Sequence, residues 1–326
     1  MLLIERLDEY YQVQVNQVRE MPKAEGFRAK FFFNQTAHLW QQSDTPPYQF
    51  YLYYLPRKQI RAFGAVFAEG PRGLSPYRAS FGGLEMYASP PVEKLTLFLL
   101  AIEDFLRKEG LKTLTWRFYP DSYAPEEAAR WSFALQQAGY RPQIVELNQH
   151  LLIRAAAFEA RLHSTARRKY RRLREAGFAC HQVPTPDWAD VHAFVARARQ
   201  RQGYPMSLSS EALEKLGRAF PQDFLVFEVL SSRAERAALG VVIRINAQIL
   251  YHFYPADEEK FLSFSPAILL NGGIYEYGLE QGYAQLDLGI SSEKGQLNEG
   301  LWRFKQALGA QNTLKTTFAK SITNND

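Results

Sequence analysis

The sequence predicts a mixed α/β fold, with α+β mixed sheets, built as two tandem domains of like order docked with a groove between them. Three observations carry this. The chain has 326 residues, more than a single hydrophobic core usually serves. An apolar helix, a glycine stop and a buried strand at residues 97–118 recur at 269–289, so that Gly110 matches Gly282, Leu114 matches Leu286 and Thr115 falls where the second copy has Asp287. Finally, Trp131-Ser-Phe133-Ala134 before Gly139 recurs as Trp302-Arg-Phe304-Lys305 before Gly309. The Trp and Phe pairs read as shared packing, whereas Asp287 and Lys305 belong to the second copy alone.

In the first half, YQFYLYYL and IRAFGAVFA read as hairpin strands. A helix from Val92, the strand TLTWRFY, a helix from Pro125 and a strand near Arg141 to Leu147 follow. The boundary falls near Asn148 to Leu152 with no flexible linker, giving domains at 1–148 and 149–326. In the second half, Ser164 or Thr165 opens a basic helix, FACHQV is a strand, and Asp187 to Arg201 and Ser209 to Phe220 are helices. FLVFEVL, LGVVIRI and ILYHFY are strands at hairpin spacing, turning at Asn246-Ala247. After the loop PADEEKFLSF, Ser265 serves as an N-cap before Pro266. That helix stops at Gly282, the strand AQLDLG follows, Asn298 caps a helix running to Gly309, and NTLKTTFAK closes as a strand.

Composition narrows the function. The single cysteine, Cys180, excludes an internal disulfide framework and any cysteine-rich metal site, and no metal is expected. The N-terminus lacks the basic flank and apolar run of a signal peptide, and no stretch is apolar for long enough to span a bilayer, so a cytoplasmic protein is expected. The net charge of +5 is local. Seven basic residues and no acid lie between Arg161 and Arg174, and without them the chain carries −2. Arg167, Arg171 and Arg174 recur at i, i+4 and i+7 with Arg168 and Arg172 beside them. Guanidinium groups stacked in this way call for an anion, and phosphate fits their planar fork. A pyrophosphate, a nucleotide and an RNA backbone all fit. No HExxH, P-loop, CxxC or G-x-S-x-G pattern is present.

The order of elements resembles that of the GCN5-related N-acyltransferase (GNAT) fold, and a tandem pair of such domains resembles the FemAB family. The segments carrying the resemblance are SFGGLEM (80–86), STARRKYRRLREAG (164–177), SPAILL (265–270) and GYAQLDLGISSEKGQLNEGLWRFKQALGA (282–310). The last is the most specific, with its D-x-G strand end and G-L-x-x-F-K-x-x-x-G helix. FemAB members add amino acids from aminoacyl-tRNA to peptidoglycan precursors. The resemblance therefore implies an N-acyltransferase or aminoacyltransferase acting on an amine of a phosphate-bearing, cell-envelope type of precursor. Its donor is acyl-CoA or aminoacyl-tRNA, and its acceptor is a small or nucleotide-linked molecule. The glycine-rich pyrophosphate loop of acetyl-CoA enzymes has no counterpart, because residues 259–266 contain no glycine. The helical arm of some FemAB members is missing between Asp187 and Phe224.

Acyl transfer to an amine needs a proton acceptor and positive charge for the tetrahedral oxyanion. Lys305 is expected to supply that charge, with Arg303 beside it, and Asp287 to orient the amine or take its proton. His252, on one strand face with Tyr254, is a candidate proton relay, and Tyr254 a substrate contact. Arg167, Arg168, Arg171, Arg172 and Ser265 are expected to bind substrate or donor. The alternative is a non-catalytic binder of nucleotide, RNA or precursor that has kept the fold.

Overall fold

The computed structural model describes residues 2–17 and 27–323. The chain divides into two compact units, the first ending at Leu147 but taking back the residues from Thr313 on, the second running Asn148–Asn312. In chain order the elements are β1 (Leu2–Arg6), β2 (Tyr11–Asn16), α1 (Thr36–Gln42), β3 (Tyr48–Tyr54), β4 (Gln59–Glu69), β5 (Arg72–Ser75), β6 (Leu84–Met86), α2 (Val92–Lys108), β7 (Thr113–Arg117), α3 (Pro125–Gln137) and β8 (Arg141–Leu152). They continue as α4 (Phe158–Arg161), α5 (Ser164–Glu175), β9 (Ala179–Val183), α6 (Trp188–Arg201), α7 (Ser210–Ala219), β10 (Phe224–Leu230), β11 (Arg236–Arg244), β12 (Ile249–Asp257), α8 (Ala267–Glu280) and β13 (Gln285–Ile290). The small ribbon β14 (Ser292–Glu293) and β15 (Gln296–Leu297), α9 (Glu299–Ala307) and β16 (Gln311–Ser321) complete the chain.

Both units are built on one plan. Unit 1 pairs β1, β2, β3, β4 and β5 antiparallel in that order, then β5 with β7 parallel and β7 with β16 antiparallel. Unit 2 pairs β9, β10, β11 and β12 antiparallel, then β12 with β13 parallel and β13 with the end of β8 antiparallel. A parallel pair cannot be closed by a tight turn. The crossovers are α2 in unit 1 and α8 in unit 2, the two helices of the sequence repeat. The glycines that end its helices also correspond, since Gly110, Gly139, Gly282 and Gly309 all have φ between 77° and 89°, a conformation that costs side-chain-bearing residues.

The repeat is looser than the sequence suggests in its aromatic pairs. Ala134 and Lys305 both face inward, and Trp131 is buried, but Phe133 is 56 % exposed while Phe304 packs on the core of unit 2. The expected domain boundary also needs correction at the C-terminus. Residues 313–323 belong to unit 1, where β16 pairs with β7 from Thr317↔Arg117 to Ser321↔Thr113. A strand that leaves one unit to complete the other sheet is invisible to a division made along the chain. Strands β1, β2, β5 and β6, the β14–β15 ribbon and helices α1 and α4 are additional to the expected elements. Helix α5 begins at Ser164 after His163, with no side-chain cap from Ser164 or Thr165.

The core of unit 2 forms around α8. This helix is apolar on nearly every side, as expected of a buried crossover. A Cβ on Gly273 would stand 2.4 Å from Cys180 Sγ, so the helix reaches β9 only because that position has no side chain. Gly273→Ala is expected to destabilise the protein by about 1–3 kcal/mol through overpacking, read as a lowered urea midpoint. An unchanged midpoint would contradict this packing.

Candidate functional site

Strands β12 and β13 run side by side only over Ile249–Tyr251 and Gln285–Asp287, and beyond Tyr251 and Asp287 they part. At the same level β12 carries a bulge, with Tyr254 opposite Val241 and His252 opposite Val242, leaving Phe253 as the extra residue. Bulges bend a strand and end its pairing. The result is a fork at the C-terminal end of a parallel pair, where β12 from His252 onward has lost its β13 neighbour. Asp287 stands at its base.

A buried polar network organises the β13 side of the fork. Asp287 Oδ1 accepts from Asn148 Nδ2 (2.7 Å) and from the backbone N–H of Gly289 (2.8 Å). Gly289 has φ +75°, which turns the chain after Leu288. Helix α9 is aimed back at this turn by its N-cap: Asn298 accepts from Leu301 N–H with its side chain and donates its own N–H to the Ser291 carbonyl. From the last turn of α9, Lys305 Nζ donates to the carbonyls of Gly289 and Ile290, each at 2.8 Å. Ser291 Oγ donates to Gln149 Oε1 at 2.6 Å. Asn148, Gln149, Asp287, Ser291 and Lys305 are all buried.

Burial pushes the Lys305 ammonium down from 10.5 to about 7, against the opposing pull of Asp287. An ammonium has three N–H donors, and two are committed to backbone carbonyls. His150, directly across from Asp287 in the β8–β13 register, is lowered by burial against the pull of the same carboxylate, and its Nδ1 has no hydrogen-bond partner. Asn148, Gln149 and His150 are absent from the sequence-based expectations. Their signal was the run NQH inside a strand that is otherwise apolar at its end.

The remaining expected site residues are distributed unequally. His252 is fully buried, with Nδ1 3.0 Å from Asn271 Oδ1 on α8, and a Cβ on Gly240 would touch its Nε2 at 2.6 Å. Burial lowers its pKa to about 4, so it is neutral at neutral pH, and its Nε2 is buried with no hydrogen-bond partner among the described residues. Tyr254 is buried, its hydroxyl bonded to Ser207 Oγ and its ring 5.6 Å from the Arg199 guanidinium. Arg303 lies on the outer face of α9, exposed and 3.4 Å from Glu299, away from the Lys305 network.

Only part of the arginine helix is left exposed. Arg167 donates to the carbonyls of Glu159, Ala160 and Leu162 and thereby closes the end of α4. Arg171 pairs with Glu159 at 2.5 Å, a partner from outside the basic run. Arg168 and Arg172 are exposed, Arg172 stacked 5.2 Å over Phe264. Ser265 has φ +60° and is not a side-chain cap of α8; its Oγ accepts from Lys169 Nζ at 2.9 Å. Among the described residues α8 has no side-chain cap, and the Asp257 carboxyl stands within electrostatic reach of its first turn; burial raises that carboxyl to about 6.

Comparisons with known proteins bear on the fold. Residues 160–306, which contain the fork and α9 up to Gln306, match the family model of an acetyltransferase (GNAT) domain. Among solved structures, the fold is similar to that of FemX, at 12 % identity and a TM-score of 0.68, covering 89 % of this chain and 92 % of that one. It is also similar to L-PGS from Bacillus licheniformis, at 12 % identity and 0.55, covering 88 % and 87 %. A tandem GNAT protein from the clavulanic acid biosynthesis pathway matches at 13 % and 0.54, covering 86 % and 84 %. No curated protein matches the sequence. No helix among the described residues is long and apolar enough to cross a membrane.

The Lys305 environment has a consequence for stability. Between about pH 7 and 10.5 the unfolded chain holds this proton and the folded chain does not, so the group's contribution to stability rises with pH across that window. Wild-type protein is expected to gain stability relative to Lys305→Met as pH rises from 7 toward 10 in urea denaturation. Parallel pH profiles of the two proteins would show that Lys305 is not perturbed.

Proposed function

We propose that this chain, a FemAB-like member of the GNAT superfamily, is an N-acyltransferase or aminoacyltransferase acting on an amine of a phosphate-bearing precursor, with its chemistry at the fork of unit 2. The observation that carries the reading is the buried Lys305 ammonium held on the Gly289 and Ile290 carbonyls, at the turn that Asp287 fixes where β12 and β13 part. In the reaction, a neutral amine attacks the acyl carbonyl carbon and its oxygen takes the negative charge. Collapse then forms the amide and expels the donor's oxygen or sulfur, which takes up a proton, while the amine nitrogen gives one up. Protonated Lys305 offsets the oxyanion. Asp287 fixes the Gly289 turn whose carbonyl takes the ammonium, and it orients the amine. His150, neutral and with an unpaired Nδ1, is the proton acceptor in this scheme, in place of His252.

Between the two donor classes, an aminoacyl ester carried on RNA fits better than an acyl-CoA. Standard pyrophosphate binding uses the bare N–H groups at a helix N-terminus. Here the buried Asp257 carboxyl stands close to the first turn of α8, so an anion placed there would meet a carboxylate. Phosphate contacts fall instead to Arg168 and Arg172 on the exposed side of α5, where a nucleic acid backbone can follow them. A cell-envelope precursor is the acceptor class in this reading.

Lys305→Ala is expected to lower kcat by about 10²- to 10³-fold, the scale of one lost oxyanion donor, while circular dichroism stays native. Turnover at the wild-type rate would remove Lys305 from the chemistry. Arg168→Glu with Arg172→Glu should weaken aminoacyl-tRNA binding and flatten its dependence on salt. Efficient turnover of acetyl-CoA by wild-type protein, with no tRNA binding, would overturn the donor assignment.

A further inference from the structure

Unit 2 holds a cavity of about 520 Å³ at the outer edge of its sheet, lined by its own residues alone and sharing none with the fork. Along the register Phe224 lies opposite Ile243, Ile243 opposite Tyr251 and Tyr251 opposite Asp287. Three strand spacings, about 14 Å, therefore separate the cavity from Asp287. Its volume falls within the roughly 300–1,000 Å³ of small-molecule sites.

The walls follow from breaks in the chain. Strand β9 is the last strand of the sheet, and Pro184 and Pro186 after it have no N–H with which to continue a ladder. Asp187 then caps α6, its Oδ1 accepting from the Ala189 and Asp190 N–H groups. Pro221 turns the chain from α7 into β10. Trp188 is fixed against these walls on two sides. A Cβ on Gly217 would stand 2.1 Å from its Cε2, so α7 lies directly on the indole, and Phe224 meets the ring nearly edge-on at 6.4 Å.

The lining thus combines rigid ring surfaces, those of Trp188 and three prolines, with polar groups that face the same space. Gln182 and Thr185 make no side-chain hydrogen bond among the described residues. Glu214 is paired through Oε1 with Arg218 at 2.6 Å. We propose that this cavity binds a neutral sugar, a pyranose or a short chain of pyranoses. Such a ring has an apolar C–H face to lie on the ring surfaces and a rim of hydroxyls, each able to donate and accept, for the amide, hydroxyl and carboxylate groups. An anion suits the cavity poorly, because Asp187 and Glu214 outnumber Arg218 and the guanidinium is already paired. An ammonium gains little, since Asp187 is held by two N–H groups and Glu214 by Arg218. A wholly apolar ligand would take Gln182 and Thr185 out of water with nothing to bond. The inference uses no residue of the fork and stands whether or not unit 2 transfers acyl groups.

Titration of the full chain with cellobiose, lactose and N,N′-diacetylchitobiose, followed by calorimetry and saturation-transfer NMR, tests this. At least one of the three is expected to bind saturably, with transfer concentrated on the C–H protons of one ring face. Gln182→Ala combined with Thr185→Ala should weaken that binding at least about tenfold, and Thr185→Trp, which fills the cavity, should abolish it. Gln182 and Thr185 are both exposed, so these variants are expected to fold, with circular dichroism as the check. Absence of saturable binding by all three sugars, unchanged affinity in either variant, or displacement of the sugar by inorganic phosphate would each overturn the proposal.

Discussion

The site of unit 2 depends on one constraint: a lysine ammonium that is taken out of water and must be satisfied by backbone. Removing such a charge from solvent costs several kcal/mol unless carbonyls or a carboxylate replace the lost hydration. The chain supplies both. Gly289 at φ +75° presents its carbonyl to Lys305, Asp287 holds that turn through the Gly289 N–H, and Asn148 holds Asp287. Remove any one of these and the others lose their reason for being buried. The fork between β12 and β13, the placement of α9 by Asn298, and the polar end of β8 are therefore one arrangement.

Burial also explains why the two units diverged in chemistry while keeping their plan. Unit 1 repeats the parallel pair and its helical crossover, yet it has Thr115 and Ala134 where unit 2 has Asp287 and Lys305. Ala134 is buried like Lys305, so the inward-facing position is common and only its chemistry differs. An alanine there needs no carbonyl partners.

Much of this was legible in the sequence, because local rules govern it. The crossover helices, their glycine stops, the N-caps at Asp187, Ser209 and Asn298, and the hairpin order of β10 to β12 follow from capping and periodicity. Asp287 and Lys305 were recognisable as one constellation because the repeat marked them. What sequence could not convey was set by long-range pairing. β16 belongs to unit 1 through its partner β7, and Arg171 finds Glu159 outside the basic run. His252 is enclosed by Asn271 and Gly240, which lie on other elements. The same holds for Asp257, a buried carboxyl brought near the first turn of α8 from another element.

The central claim is that protonated Lys305 stabilises the charge that develops in acyl transfer. The most direct measurement is the pH dependence of kcat for wild type and Lys305→Arg with a donor that supports turnover. The account predicts a descending limb near pH 7 in wild type, as the ammonium loses its proton, and its disappearance from the accessible range in Lys305→Arg, whose guanidinium stays charged. Superimposable profiles for the two proteins would contradict it.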